Sequence, residues 1–343
     1  METTKNTHLN KTLKICNFKK DLFFEALLSL AIFIIMLIII SNPKRYTSGT
    51  IDGLKLFFFS VLPGLLPFML LTKILTGLGF ILKLSQKLNK PASLLFHTQG
   101  ISFYALIMSI LSGYPIGAKI ICELYEKGFI SQDEAKTMSV FCTTSGPIFV
   151  IGAIGTTMFK SQKIGVIIYL SHIISSIVLG VLFGHLKKDK ILHTPQNFII
   201  NKNNNIFSEC VIQTTNSLFI IGAYITIFYL ISELLEGLGV FNVLISIFSP
   251  VKNLLNLENS TIKGILYGIL EVTRGAKELS KSTSIFSICA CTGILSFSGI
   301  SIIMQSMVFL KQTKIKMHNF IFAKVMHSIL SIFVCYILCL LFI

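Results

Sequence analysis

The sequence predicts an all-α, polytopic integral membrane protein built as an inverted repeat of broken or re-entrant helices plus spanning helices. Three observations carry this. Of the 343 residues, 53% are hydrophobic and 13% charged, whereas a soluble globular chain carries roughly a quarter charged. Apolar runs recur from Leu22 to Ile343 with no long polar block between them. Two stretches also repeat one ordered pattern of short apolar run, Gly-Ala-Lys and broken long run. The expected organisation is a basic cytoplasmic tail and first transmembrane helix over residues 1–53, a first membrane repeat over 54–185, a cytoplasmic linker over 186–209 and a second repeat over 210–343.

The first run, Leu22 to Ile40, is nearly unbroken apolar sequence, and about 20 such residues cross the ~30 Å hydrocarbon core. It reads as a retained anchor and not as a signal peptide, because it is too long and Ser41-Asn42-Pro43 offers no small-residue cleavage pattern. Leu54 to Leu71, containing Pro63 and Pro67, is the expected return crossing. Ile101 to Leu111 has 11 residues before Ser112-Gly113-Tyr114-Pro115, about half a span, and predicts a re-entrant segment. A helix is expected over Gly117 to Lys127, closed by Gly128, and the capping box Ser131-x-x-Glu134 opens the next. That helix runs into Met138 to Phe159, interrupted by Ser145-Gly146-Pro147. Spans follow at Ile164 to Phe183 and Val211 to Leu235, joined by the basic, Asn-rich connection Lys187 to Asn205. Leu238 to Phe248 reads as a short or interfacial helix ended by Pro250. A second short run, Gly264 to Leu270, leads to Glu271-Val272-Thr273-Arg274-Gly275-Ala276-Lys277. The long run Ile285 to Leu310 is broken at Ser296-Phe297-Ser298-Gly299, and Phe320 to Ile343 is the last span.

The net charge of +15 sits in short clusters between apolar segments, not in one stripe, which argues for topology signals and against nucleic-acid binding. The tail before Leu22, Lys73 to Lys90, Lys187 to Lys190 and Lys311 to Lys316 are expected inside. The stretch with Glu233, Glu236 and Glu258, opposed by Lys252, is expected outside, and Lys44 and Arg45 are a local exception. The eight cysteines form no CxxC and the seven histidines show no HxxxH or HExxH, so neither a metal nor another cofactor is expected. Cys289 and Cys291, two apart, should point to different helix faces as small core residues. No nucleophile with a base and no pair of catalytic carboxylates stands out, so no enzyme is expected.

Gly117-Ala118-Lys119 with Ser145-Gly146, and Gly275-Ala276-Lys277 with Ser298-Gly299, are the two copies of the pattern. The two motif glycines lie 158 residues apart, and the Gly-to-Ser gaps are 28 and 23. The charge pattern orients the two units oppositely, and inverted repeats of interrupted segments mark a transport site near the bilayer midplane. Small residues also serve plain helix packing. The candidate solute-binding residues are Ser112, Gly113, Tyr114, Pro115 and Gly117 in the first short segment, with Thr143, Thr144, Ser145, Gly146 and Pro147 at the first break. In the second half they are Glu271, Arg274 and Gly275, with Ser296, Ser298 and Gly299 at the break. Glu271 and Arg274 stand i, i+3 and are expected to pair, either as a functional intramembrane pair or as solvated interface charges. Lys119 and Lys277 are expected to snorkel to an interface.

Leu111 to Lys119, Cys142-Thr143-Thr144-Ser145-Gly146-Pro147 and the Glu271 to Lys277 segment together resemble the YlbJ-type sporulation integral membrane proteins of endospore-forming bacteria, over most of the chain. The resemblance implies kinship with nucleoside recognition, or Gate, domains of concentrative nucleoside and ferrous iron transporters. It implies a cell-membrane protein used in spore formation, either a permease or channel for a small polar solute or a non-transporting assembly factor of the spore envelope. The GTPase of iron transporters has no counterpart, since no GxxxxGK[ST] loop occurs. The expected partners are the lipid bilayer and a small polar solute.

Overall fold

The computed structural model describes residues 25–78, 80–186, 205–254 and 257–343. The expectations for the lysine-rich tail, for Leu22 to Phe24 and for Lys187 to Asn204 lie outside these. The chain divides into two units, residues 1–49 and 50–343. Among the described residues the secondary structure is helical, and five helices are long and apolar enough to cross a membrane, six if one bent pair counts as a span. The protein is a multi-pass membrane protein.

In the smaller unit, α1 (Glu25–Ser41) is an apolar helix short of a full crossing within the described residues. The next helix begins earlier than the sequence suggested. α2 (Pro43–Leu56), a π-helical stretch Phe57–Val61 and α3 (Leu62–Gly77) form one candidate span of 35 residues, Pro43–Gly77. Lys44 and Arg45 therefore lie in a helical turn and not in a loop. Pro63, with no N–H to donate, stands two residues past the end of the π stretch, the kind of place where a helix deforms.

α4 (Phe80–Phe96) and α5 (Ile101–Ser112) meet at 87° over the described pair Leu84–Phe96 and Ile101–Ser112. α5 then turns through Gly113-Tyr114-Pro115 into α6 (Ile116–Glu126), the helix expected over Gly117 to Lys127, so the two form a short hairpin. Gly128 has φ 71° after α6, a left-handed stop. The capping box of α7 (Gln132–Phe141) forms as expected: Ser131 Oγ accepts the Glu134 N–H at 3.1 Å, and the Glu134 carboxylate accepts the Ser131 N–H at 3.0 Å. After the break comes a π-helix, Ile148–Met158, and then α8 (Gln162–His185).

The second half repeats this order. α9 (Ile206–Gly237) is the long span. α10 (Val240–Ile247) and α11 (Ser249–Leu254) follow, and Pro250 lies in the first turn of α11 instead of ending a helix, a position where its missing N–H costs nothing. α12 (Asn259–Leu270), Glu271 and α13 (Val272–Leu279) form the second hairpin. α14 (Ile285–Phe297) and α15 (Gly299–Leu310) form the second broken run, with Ser298 at φ 77° and Gly299 at φ 58°, and α16 (Met317–Phe342) ends the chain.

Packing is reciprocal between the halves. α6 packs on α15, and its counterpart α13 packs on the π-helix. α8 packs on α14, and its counterpart α16 packs on α7. α3 and α9, equivalent in the order, pack on each other. α16 shows why the chain needs lipid around it. Its buried face holds Phe320, Lys324, His327, Ser331 and Cys335, while Phe322, Ile329, Phe333 and Leu340 are exposed. Polar groups inside and apolar groups outside invert the pattern of a water-soluble helix.

Candidate functional site

Each half brings the tip of its hairpin against its own break. A Cβ at Gly113, where φ is +82°, would sit 2.5 Å from the Gly146 amide nitrogen, and one at Gly299 would sit 2.9 Å from the Gly268 carbonyl. Glycine is required where backbone meets backbone so closely.

Between these junctions lies a cavity of about 70 Å³, several times the ~10–15 Å³ that one water needs. Its polar wall from the first half is Ser60, Ser112, Gly113, Tyr114, Ser145 and Gly146, and from the second half Glu271, Thr273, Ser301 and Gln305. Val61, Leu65, Phe149, Ile221 and Ile225 add apolar wall, the last two from α9. Glu271 is 3% exposed and caps α13, accepting the Thr273 N–H at 3.0 Å and the Arg274 N–H at 2.7 Å. A wall with one carboxylate, several hydroxyls and an amide can accept hydrogen bonds from a solute or hold a small cation.

Six of the candidate residues from the sequence therefore share one cavity, and the others do not line it. Gly117 and Gly275 serve packing: a Cβ would fall 1.6 Å from the Cys142 carbonyl oxygen and 2.4 Å from the Gly268 Cα respectively. Arg274 turns away from the expected partner. Its guanidinium pairs with Glu233 at 2.7 Å and with Glu236, and lies over the Tyr229 and Tyr267 rings. Glu271 accepts backbone N–H groups instead, because as the helix cap it faces the first-turn amides and not the next turn of side chains. Glu233 and Glu236 belong to the last turns of α9, not to a loop, and Glu236 also binds Lys263 at 2.9 Å. Lys277 is exposed as expected, while Lys119 donates to Ser217 and to the Gln213 carbonyl.

At the first break four backbone groups are bonded within the protein. Ser176 donates to the Phe141 carbonyl at 2.8 Å, Lys324 Nζ to the Thr143 carbonyl at 2.6 Å, the Thr144 N–H to Ser109 Oγ at 3.0 Å, and the Ser145 N–H to His172 Nε2 at 2.9 Å. Backbone at membrane depth must find such partners. The Ser145 amide can only donate, so His172 Nε2 is bare and Nδ1–H donates to Ser296 Oγ at 2.8 Å. One imidazole thus joins both breaks. His327 Nε2–H donates to the His172 carbonyl at 2.9 Å, and the two rings stack with centroids 4.7 Å apart. Lys324, 1% exposed, also donates to the Tyr114 hydroxyl at 3.3 Å and lies over that ring.

Sequence reasoning missed His172, Lys324 and His327. The available signal was an ionisable side chain inside an apolar span, which is a site marker by default. Alignment by element would have sharpened it. His172 stands ten residues after Gln162 at the start of α8 (172 − 162), and His327 ten after Met317 at the start of α16 (327 − 317), each in an H-x-I-x-S string.

Fold and cavity define a class: a multi-pass helical membrane protein with a small polar chamber where the broken segments of both halves meet. Its sequence is similar to the sporulation integral membrane protein YlbJ of Bacillus subtilis (strain 168), with 26% identity over 313 residues covering 85% of this chain and 77% of the relative. No family model and no solved structure matches.

Proposed function

We propose that this protein is a YlbJ-type, Gate-domain-like permease for a small polar solute, acting in the cell or forespore membrane during spore formation. The observation that carries the reading is the chamber shared by Ser112, Tyr114 and Ser145 of one half and Glu271, Ser301 and Gln305 of the other. The reciprocal packing supports an inverted repeat. Each half has a leading and a final span, Pro43–Gly77 with Gln162–His185 and Phe207–Gly237 with Met317–Phe342, and the second half adds the broken run Ile285–Thr313; the reading takes its shorter counterpart, α7 with Ile148–Met158, as a third crossing of the first half and the hairpins as re-entrant. An odd number starts the second half from the opposite side of the bilayer, the arrangement in which sites form at the repeat interface. The lone carboxylate in the wall favours a solute rich in hydrogen-bond donors or carrying positive charge. The likeness to the Bacillus subtilis protein supports the spore-forming context.

The test is replacement of YlbJ by this chain in Bacillus subtilis, with small-molecule analysis of forespore and mother cell. At least one polar metabolite should redistribute when the relative is removed, return with the wild-type chain, and not return with Gly146→Leu present at a normal membrane level. Restored sporulation with identical metabolite pools in every strain would overturn transport and leave an assembly role.

A further inference from the structure

Cysteines that look unrelated in the sequence come together away from the chamber. Cys289 on α14 and Cys335 and Cys339 on α16 are all buried, and their sulfurs lie within 4.8 Å of one another. The Cys335 and Cys339 sulfurs are 3.9 Å apart, and Thr292 Oγ1 donates to Cys335 Sγ at 3.1 Å. A metal–thiolate bond of about 2.3 Å places the sulfurs of a trigonal site roughly 4.0 Å apart. The three side chains are therefore already near ligand spacing on two packed, well-formed helices.

We propose that Cys289, Cys335 and Cys339 form a three-sulfur site for a soft, low-coordinate, monovalent metal ion of the Cu(I) class. Soft thiolate donors select Cu(I), zinc or iron–sulfur clusters. The last two need four protein ligands, or three with a water, whereas the group holds three among the described residues. The apolar cluster that holds the three cysteines includes Ile285, Ile288, Ala290 and Leu338, with the Thr292 and Ser171 hydroxyls bonded to Cys335 as the oxygen groups beside the sulfurs. Each thiol that becomes a ligand exchanges S–H for S–metal and releases one proton, so loading strengthens as pH rises. An entry route is short, because Cys289 lies about one turn beyond the exposed Thr283 and Ser284 that precede α14.

The test uses the full chain, purified in detergent under reductant and titrated with Cu(I) buffered by bathocuproine disulfonate. The expected result is about one Cu(I) per chain and an X-ray absorption shell of sulfur alone, three per metal. Cys335→Ser and Cys289→Ser, on different helices, should each weaken binding by about tenfold or more, while Cys291→Ser, a buried cysteine outside the group, should bind as wild type. The absorption spectrum of the wild type decides the ligand set even if a variant fails to fold. Nitrogen or oxygen in the shell, no Cu(I) retained, equal loss in Cys291→Ser, or displacement of Cu(I) by equimolar Zn(II) would each overturn the assignment.

Discussion

Replacing His172 by alanine removes the acceptor for the Ser145 N–H and the donor to Ser296 Oγ in a fully buried position. An orphaned buried donor costs about 1–3 kcal/mol, and the space left by the ring adds a cavity term. Together these predict a loss of roughly 3–5 kcal/mol. Two further variants separate the contributions. The Gln side chain places its amide near the Nε2 position and can accept from Ser145, so His172→Gln should recover about 1–3 kcal/mol. Asn reaches only the Nδ1 position, so His172→Asn should keep the Ser296 contact and recover less. The assay is reversible unfolding in mixed micelles, followed by helical circular dichroism, on purified variants. If alanine costs under about 1 kcal/mol, or if Asn stabilises more than Gln, His172 is not the partner of the broken backbone.

Other outcomes follow from the same contacts. Arg274→Gln combined with Glu233→Gln should show a coupling of about 0.5–3 kcal/mol in a double-mutant cycle, while Arg274→Gln with Glu271→Gln should be nearer additive; the reverse order would restore the i, i+3 pair. Gly117→Ala should remove folded protein from the membrane, since its Cβ has no space, whereas Gly152→Ala, with nothing within 4 Å, should be silent in membrane abundance. An added cysteine at Ser260 should react with an impermeant maleimide from outside the cell and not from the cytoplasm; labelling from the cytoplasm alone would refute the inverted topology.

Much of this fold was legible because spans, caps and breaks are local. The long apolar runs at α8, α9 and α16, the box at Ser131 and Glu134, and the interruptions at Ser145-Gly146 and Ser298-Gly299 all lie within a few residues of their cause. What pairs across helices was not. Arg274 could be read against Glu271 by spacing alone, but its partners are on α9, 38 and 41 residues earlier (274 − 236, 274 − 233). Ser301 and Gln305 escaped notice because the left-handed residue at Ser298 resets the helical phase of α15, so no periodicity carries across it. The cysteines were set aside on their spacing in sequence, which says nothing of Cys289 meeting α16.

The Glu271 carboxylate holds the first turn of α13 and also faces the chamber. Any occupant that draws this carboxylate toward itself loosens the two amides it was holding, so occupancy and fraying of α13 are thermodynamically linked. The N–H groups of Thr273 and Arg274 are thereby built-in reporters. Their deuterium uptake should quicken when a cationic solute enters and slow again when it leaves, without any need to know beforehand what that solute is.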